Sequence, residues 1–231
     1  MPDIGINLSR GCGNPTGFAD LQPGEVVVDF GCGAGIDVIL AAHRVGRQGR
    51  VVGLDFAPQM IERAKQAVIA SGLQERDIEL RTADLENSEL PDRFADAVIS
   101  NCVINLCPDK KAVYEEACRI LLSGGRLAIS DVVLTEEIDP HLRERFRDYW
   151  AGCLGGAVPE EDYWRTITNA GFAEIKTVSS HTLTPQELEA MACCPGKEFT
   201  PAAAQEDLAA VQGKVVSVKF TAVSTLFLKG C

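Results

Sequence analysis

The stretch Val26 to Ala42, VVVDFGCGAGIDVILAA, constrains the fold more than any other part of the chain. Val26, Val27 and Val28 are β-branched and consecutive, which suits a strand covered on both faces of a parallel sheet. Asp29 ends the apolar run, and Gly31, Gly33 and Gly35 follow at every second position. Ile36 to Ala42 is apolar enough to open a helix packed on that sheet. Strand, glycine turn and helix make the first half of a nucleotide-binding crossover. Glycines there remove Cβ atoms where backbone must approach a ligand, and they permit positive φ in a tight turn. An ordinary βα turn can read the same way. Here VVGLD, at Val51 to Asp55, adds a second strand ending in an acid about 20 residues past the loop, where a carboxylate can accept hydrogen bonds from both ribose hydroxyls.

The spacing is not that of a pyrophosphate loop. Gly35 follows Gly33 by two residues, whereas a dinucleotide fold usually reads GxGxxG. DFGCGAG instead resembles the first motif of the class I S-adenosylmethionine methyltransferases. That cofactor has a ribose, an adenine and a methionine tail but no phosphate, and the tail needs close backbone approach more than a helix dipole.

The rest of the chain continues the alternation. Pro58 to Ser71 is predicted as a helix, with Met60, Ile61, Ala64 and Val68 on one face. Strands are expected at Asp77 to Thr82, Ala95 to Ser100 and Arg126 to Leu134, with a helix from Lys110 to Leu122 closed by Gly124-Gly125. Beyond that, helices are predicted at Pro140 to Trp150 and Pro159 to Ala170, and a strand at Phe172 to Val178. Thr184 opens a helix with Thr-Pro-x-Glu capping chemistry, Cys193-Cys194-Pro195-Gly196 breaks it, and Pro201 to Val211 is helical. Lys214 to Leu228 alternates as a long last strand, paired antiparallel with its neighbours. The expectation is an α/β fold with a doubly wound, mostly parallel, seven-stranded Rossmann-like sheet and a small C-terminal extension. Residues 1–23 read as a lead-in, 24–183 as the cofactor-binding domain, and 184–231 as C-terminal helices and last strand.

Composition narrows the partners. A net charge of −11 over 231 residues argues against nucleic acid, because phosphate binding needs a basic surface. No apolar run is long enough to span a membrane, and MPDIGINLSR lacks a signal-peptide core, so a cytoplasmic protein is expected. Nine cysteines are the anomaly. The number is odd, the chain is too large to need disulfide staples, and no CxxC pair points to a zinc ribbon.

In open parallel sheets ligands bind beyond the carboxyl ends of the strands, near the switch point. Asp29, Asp55, Asp84 and Asn101 all follow strand ends and are expected to face one crevice. Asp55 would hold the ribose, and Asp84 with the Leu85 backbone the adenine amine, although Asp84 also reads as a plain turn residue. Asp29 and the loop of Gly31, Gly33 and Gly35 would receive the methionine amino group. Cys102 lies where the substrate of such a fold meets the methyl group, and no histidine, metal set or Asn-Pro-Pro-Tyr platform accompanies it. Alone it reads as a core cysteine. Cys12, in a glycine loop ahead of the first strand, and Cys153, in a Gly-rich segment, are poor places for core fillers. Three thiolates converging there would suit a soft ion with a lone pair, and trivalent arsenic fits both conditions.

GCGNPTGF, DFGCGAGIDVILAA, SNCVINLCPDK and AGCLGGA resemble the corresponding segments of the bacterial arsenite S-adenosylmethionine methyltransferases, from about Gly11 to Val178 and more loosely to the end. The resemblance implies that Cys12, Cys102 and Cys153 bind trivalent arsenic, often delivered as a thiol conjugate, for detoxification. It implies that the arsenic lone pair attacks the methyl carbon, and that thioredoxin or glutathione clears the disulfide left by reduction. Two features depart from the family. The family is expected to carry a further cysteine in a longer N-terminal segment, whereas MPDIGINLSR ahead of Cys12 holds none, which bears on the reductive half of the cycle, and Cys32 stands where serine is common. Cys193-Cys194 reads either as an arsenic-capturing or reducing pair or as a helix end. Cys107, Cys118 and Cys231 read as loop, helix face and tail. Two other readings stay open: methyl transfer to an organic or other soft-element acceptor, and a non-catalytic thiol-rich arsenic binder.

Overall fold

A computed structural model describes residues 13–149, 154–192 and 201–225. Its strands are β1 Val26–Phe30, β2 Arg50–Asp55, β3 Asp77–Thr82, β4 Ala95–Asn101, β5 Leu121–Leu134, β6 Phe172–Thr182 and β7 Val215–Ser224. Its helices are α1 Ile36–Val45, α2 Pro58–Ala70, α3 Lys110–Ile120, α4 Pro140–Tyr149, α5 Glu160–Asn169, α6 Pro185–Ala192 and α7 Pro201–Val211. The strands form one seven-stranded sheet in the order β3-β2-β1-β4-β5-β7-β6. β1 to β5 pair in parallel, and β7 runs antiparallel between β5 and β6. The α/β sheet expected from the sequence is therefore present. β7 lies inside the sheet, so the C-terminal segment completes it as well as extending beyond it.

The apolar runs in the parallel strands are continuous because both faces are covered. Val27 and Val51 pack with Val38 and Ala41 of α1 and Ile61 of α2 on one face. Val28 and Val52 pack toward Val113 and Tyr114 of α3 and Tyr163 and Ile167 of α5 on the other. Adjacent valines serve opposite cores because side chains alternate along a strand. A third cluster joins Val132 and Leu134 of β5 to Leu142 of α4, Leu188 of α6 and Leu208 of α7. The capping box anticipated at Thr184 is formed: Glu187 N–H donates to Thr184 Oγ1 at 3.3 Å, and Thr184 N–H donates to Glu187 Oε2 at 2.8 Å.

β5 begins earlier than the sequence suggested. Leu121 pairs with Ala95, and pairing then resumes at Arg126 with Ala97. The intervening residues loop out, with Gly124 at φ +77°. The glycine pair accommodates an irregularity in the strand where a helix stop had been expected. The chain winds one way from β1 through β2 to β3 and the other way from β4 onward. The switch point thus falls between β1 and β4, and the strand ends there form the crevice.

Candidate active site

The three loop glycines all have positive φ: Gly31 at +77°, Gly33 at +50° and Gly35 at +86°. They do different work. A Cβ on Gly31 would lie 2.4 Å from Val103 Cγ2, and one on Gly35 would lie 3.0 Å from Ala64 Cβ, so these two let protein pack on protein. Above Gly33 nothing lies within 4 Å, which leaves its face open to a ligand.

Beside the loop sit three carboxylates. Asp29 is buried, and its Oδ2 has no hydrogen-bond partner. Burial, then the nearby charges of Asp37 and Asp55, push its carboxyl well above the usual range. Asp37, in the first turn of α1, is also raised by burial. A buried acid with an unused oxygen and acidic neighbours is a place for a cation. The ammonium of a methionine tail fits this cradle, and the open face of Gly33 gives the tail backbone to lie against.

Asp55 stands at the end of β2, almost fully buried. Its Oδ2 accepts from Gly33 N–H and its Oδ1 from Ala57 N–H, both at 2.9 Å. It therefore shapes the glycine loop and still has lone pairs for ribose hydroxyls. Asp84 is exposed and accepts from Glu86 N–H at 2.9 Å, in a turn that also bridges to Asn87. Leu85 is buried beside it.

Asn101 ends β4 and makes contacts the sequence did not foretell. Its Nδ2 donates to the Gly13 carbonyl at 2.8 Å and to Asp37 Oδ2 at 3.0 Å, while Gly13 N–H donates to its Oδ1 at 3.2 Å. Cys102 follows at φ +56°, a left-handed conformation rare outside glycine, and its N–H donates to the Ser130 carbonyl at 2.8 Å. Cys102 is buried in the third cluster beside Leu154 and Ala157, and its sulfur is in a disulfide. Cys32, Cys107 and Cys118 are not in disulfides, and the Cys118 sulfur lies 3.5 Å from the Gly171 carbonyl oxygen. Burial raises the thiol of Cys32 strongly and pushes that of Cys107 up to about 11, so neither is a ready thiolate. Cys12 and Cys153 lie outside the described residues, as do Cys193, Cys194 and Cys231. Among the described residues no three His, Cys, Asp or Glu side chains are arranged to hold a metal ion.

Below the Cys102 turn lies a second polar group. Asn105 Nδ2 donates to Asp131 Oδ1 at 2.9 Å and to the Val132 carbonyl at 2.7 Å. Tyr163 donates to Asp131 Oδ2 at 3.2 Å, and Tyr114 to Tyr163 at 2.6 Å. A Cβ on Gly156 would sit 1.8 Å from the Asn105 carbonyl oxygen. The SNCVINL and GCLGGA motifs thus meet at Asn105 and Gly156, and only glycine permits that approach.

Residues 21–174 match the methyltransferase-domain family. The chain belongs to that family. It is 40% identical over 172 residues to the arsenite methyltransferase of Halobacterium salinarum, covering 74% of this chain and 43% of that protein. It is 32% identical over 175 residues to the aklanonic acid methyltransferase DauC of a Streptomyces species, covering 68% of this chain and 79% of that one. Among solved structures it is similar to CrArsM, an arsenic(III) S-adenosylmethionine methyltransferase from Chlamydomonas reinhardtii, with a TM-score of 0.77 and 28% identity over 96% of this chain and 70% of that chain. The chain spans less than half the length of the curated arsenite methyltransferases it matches, such as that of Halobacterium salinarum. Among the described residues no helix is long and apolar enough to cross a membrane.

Within this methyltransferase fold the sequence reading passed over Asp37, Asn105 and Asp131. Asp131 had a visible signal, the one charge inside the strand run LAISDVVL. The partner of Asp37, Asn101, is 64 residues away and had none.

Proposed function

We propose that the chain methylates trivalent arsenic, taking the methyl group from S-adenosylmethionine, in the service of arsenic detoxification. One observation carries the reading: Asn101, directly before Cys102, bonds at once to Gly13, directly after Cys12, and to Asp37 beside the Asp29 cradle. The residue before Cys102, the residue after Cys12 and the proposed cofactor cradle therefore share one hydrogen-bonded node. Similarity to arsenite methyltransferases supports the choice of acceptor.

In this reading Asp29 and Asp37 hold the ammonium of the cofactor, Asp55 its ribose, and Asp84 with the Leu85 backbone its adenine amine. S-adenosylmethionine, when bound, supplies an electrophilic methyl on a sulfonium. Thiolates of Cys12, Cys102 and Cys153 bind arsenic, a soft ion, and aim its lone pair at that carbon. The new arsenic–carbon bond forms as the carbon–sulfur bond breaks, and the electron pair leaves with sulfur as S-adenosylhomocysteine. The product is pentavalent. Two external thiols, from glutathione or thioredoxin, return it to the trivalent state and leave as a disulfide. The disulfide at Cys102 has to be opened by the same kind of reductant before arsenic can bind there.

The test is arsenic speciation after incubation with arsenite, glutathione and S-adenosylmethionine. Methylated arsenic is expected from the wild type and none from Cys102→Ser, since serine offers a hard oxygen in place of a soft thiolate. The likeness to DauC keeps methyl transfer to an organic acceptor as a second reading, and a Cys102→Ser variant that still methylated arsenite at the wild-type rate would favour it.

A further inference from the structure

We infer that Arg143 is a positioning residue whose guanidinium holds the turn at residues 154–157 against Cys102 and so closes one wall of the acceptor site. The inference rests on the reading of Cys102 as an arsenic ligand. It concerns a helix that the sequence marked only as charged.

Cys102 is 6% exposed, so what packs on it decides how it meets an acceptor. Its cluster holds Val132 and Leu134 of β5, Leu142 of α4, and Leu154 and Ala157 of the turn. The strand residues are fixed by the sheet, whereas the turn needs fastenings of its own. Its far end is tied by backbone: Leu134 N–H donates to the Val158 carbonyl at 2.9 Å, and Leu134 bridges to Pro159. Its middle is fitted without a bond, since Gly156 lies where a Cβ would be 1.8 Å from the Asn105 carbonyl oxygen. Within the turn Ala157 N–H donates to the Leu154 carbonyl at 3.2 Å. The Ala157 carbonyl then accepts from Arg143 Nη1 at 2.7 Å. Ala157 has no solvent exposure. Without the guanidinium its carbonyl is either left unpaired or carried out to water by a shift of the turn, and the first is costly.

The guanidinium is itself held in place. Arg143 Nη2 donates to Glu137 Oε2 at 3.0 Å, and the arginine side chain is mostly covered while that of Glu137 is exposed. α4, which carries Arg143, has fastenings that do not involve it. Asp139 Oδ1 accepts from His141 N–H at 2.8 Å and from Leu142 N–H at 3.2 Å at the helix start. Arg145 reaches both carboxylate oxygens of Asp207 on α7, at 2.7 and 3.0 Å. The helix therefore stays docked when Arg143 alone is changed, and what is lost is the charge-assisted bond to the turn.

The experiment uses the full chain, reduced, as wild type, Arg143→Ala, Arg143→Lys and Glu137→Gln. Alkylation of Cys102 by iodoacetamide, resolved to the residue by peptide mass spectrometry, reads the wall without substrate or cofactor. Arg143→Ala should label Cys102 about tenfold faster, the size expected for losing a bond from a charged donor. Arg143→Lys keeps a cationic donor on a flexible stem and should fall between the two. Glu137→Gln removes only the exposed partner and should stay within about twofold of the wild type. Cys118, buried against Gly171 and Ser224, should label alike in all four. With arsenite and excess glutathione, Arg143→Ala should raise KM about tenfold while kcat and S-adenosylhomocysteine affinity change by less than about threefold. Unchanged labelling of Cys102 in Arg143→Ala overturns the inference. So does equal acceleration at Cys102 and Cys118, which would mean a general loosening of the fold. Faster labelling of Cys102 with an unchanged KM for arsenite overturns the wall's part in acceptor binding. A wild type that methylates no arsenical, while Arg143→Ala still unmasks Cys102 alone, would refute the arsenic reading and leave the fastening standing.

Discussion

Replacing Asp131 with asparagine should make the protein more stable above neutral pH, by an amount the structure lets one calculate. Asp131 has no solvent exposure. Its Oδ1 accepts from Asn105 Nδ2 and from Val132 N–H, both at 2.9 Å, and its Oδ2 from Tyr163 at 3.2 Å. Burial pushes its pKa from 3.8 up to about 7, against the lowering effects of those hydrogen bonds and of Lys110. A carboxyl whose folded value is raised favours the protonated fold. Its contribution is greatest below about pH 4, declines as pH rises, and levels off above about 7. At about 1.36 kcal/mol per pH unit, full ionisation costs about 4 kcal/mol. Asparagine has the same shape and does not titrate. Its carbonyl can accept from Asn105 and Val132, and its NH2 can donate to Tyr163, whose hydroxyl then turns to donate to Tyr114. The stability advantage of Asp131→Asn over wild type should therefore grow by about 1.4 kcal/mol per pH unit up to about 7, then stay constant. Urea unfolding between pH 5.5 and 8.5 under reducing conditions would measure it, read through the fluorescence of Trp164, which packs 4.9 Å from Phe220. A difference that did not change with pH would show that Asp131 does not titrate where burial places it.

Asp29→Asn should weaken S-adenosylmethionine binding by about 1.5–3 kcal/mol, the loss of a charge-assisted bond to its ammonium; unchanged affinity by calorimetry would remove Asp29 from the cradle. Asp55→Ala should weaken cofactor binding by a similar amount per ribose bond lost and also lower Tm, because Gly33 and Ala57 N–H lose their acceptor. Gly156→Ala should cost about 1–3 kcal/mol of stability, because its methyl must displace the Asn105 carbonyl, and methylation should fall with it; a variant with wild-type Tm would mean that the contact yields freely.

The framework was legible because its signals are local. Val26 to Val28, the alternate glycines and the acid at Asp55 fall within one crossover, and β-branching, glycine and chain length each act there without help from distant residues. The antiparallel partner strand at the C-terminus was legible from its alternation, but its place between β5 and β6 was not, since pairing partners leave no mark on a strand's own pattern. The same limit governs the site. Three glycines look alike in sequence, yet Gly31 and Gly35 are occupied by Val103 and Ala64 while Gly33 alone has open space, a distinction set by residues far along the chain or on the next helix. Asn101 stands at a strand end, as the sequence indicated, and that position is what marks it as a candidate ligand contact. What its amide does is decided by Gly13, 88 residues away, which offers a backbone donor and acceptor together, and by Asp37, which offers only an acceptor. A short polar side chain at a strand end can serve a ligand, tie down the chain or do both, and its partners across the chain come into view only with the groups that the tertiary fold brings within 3 Å or so.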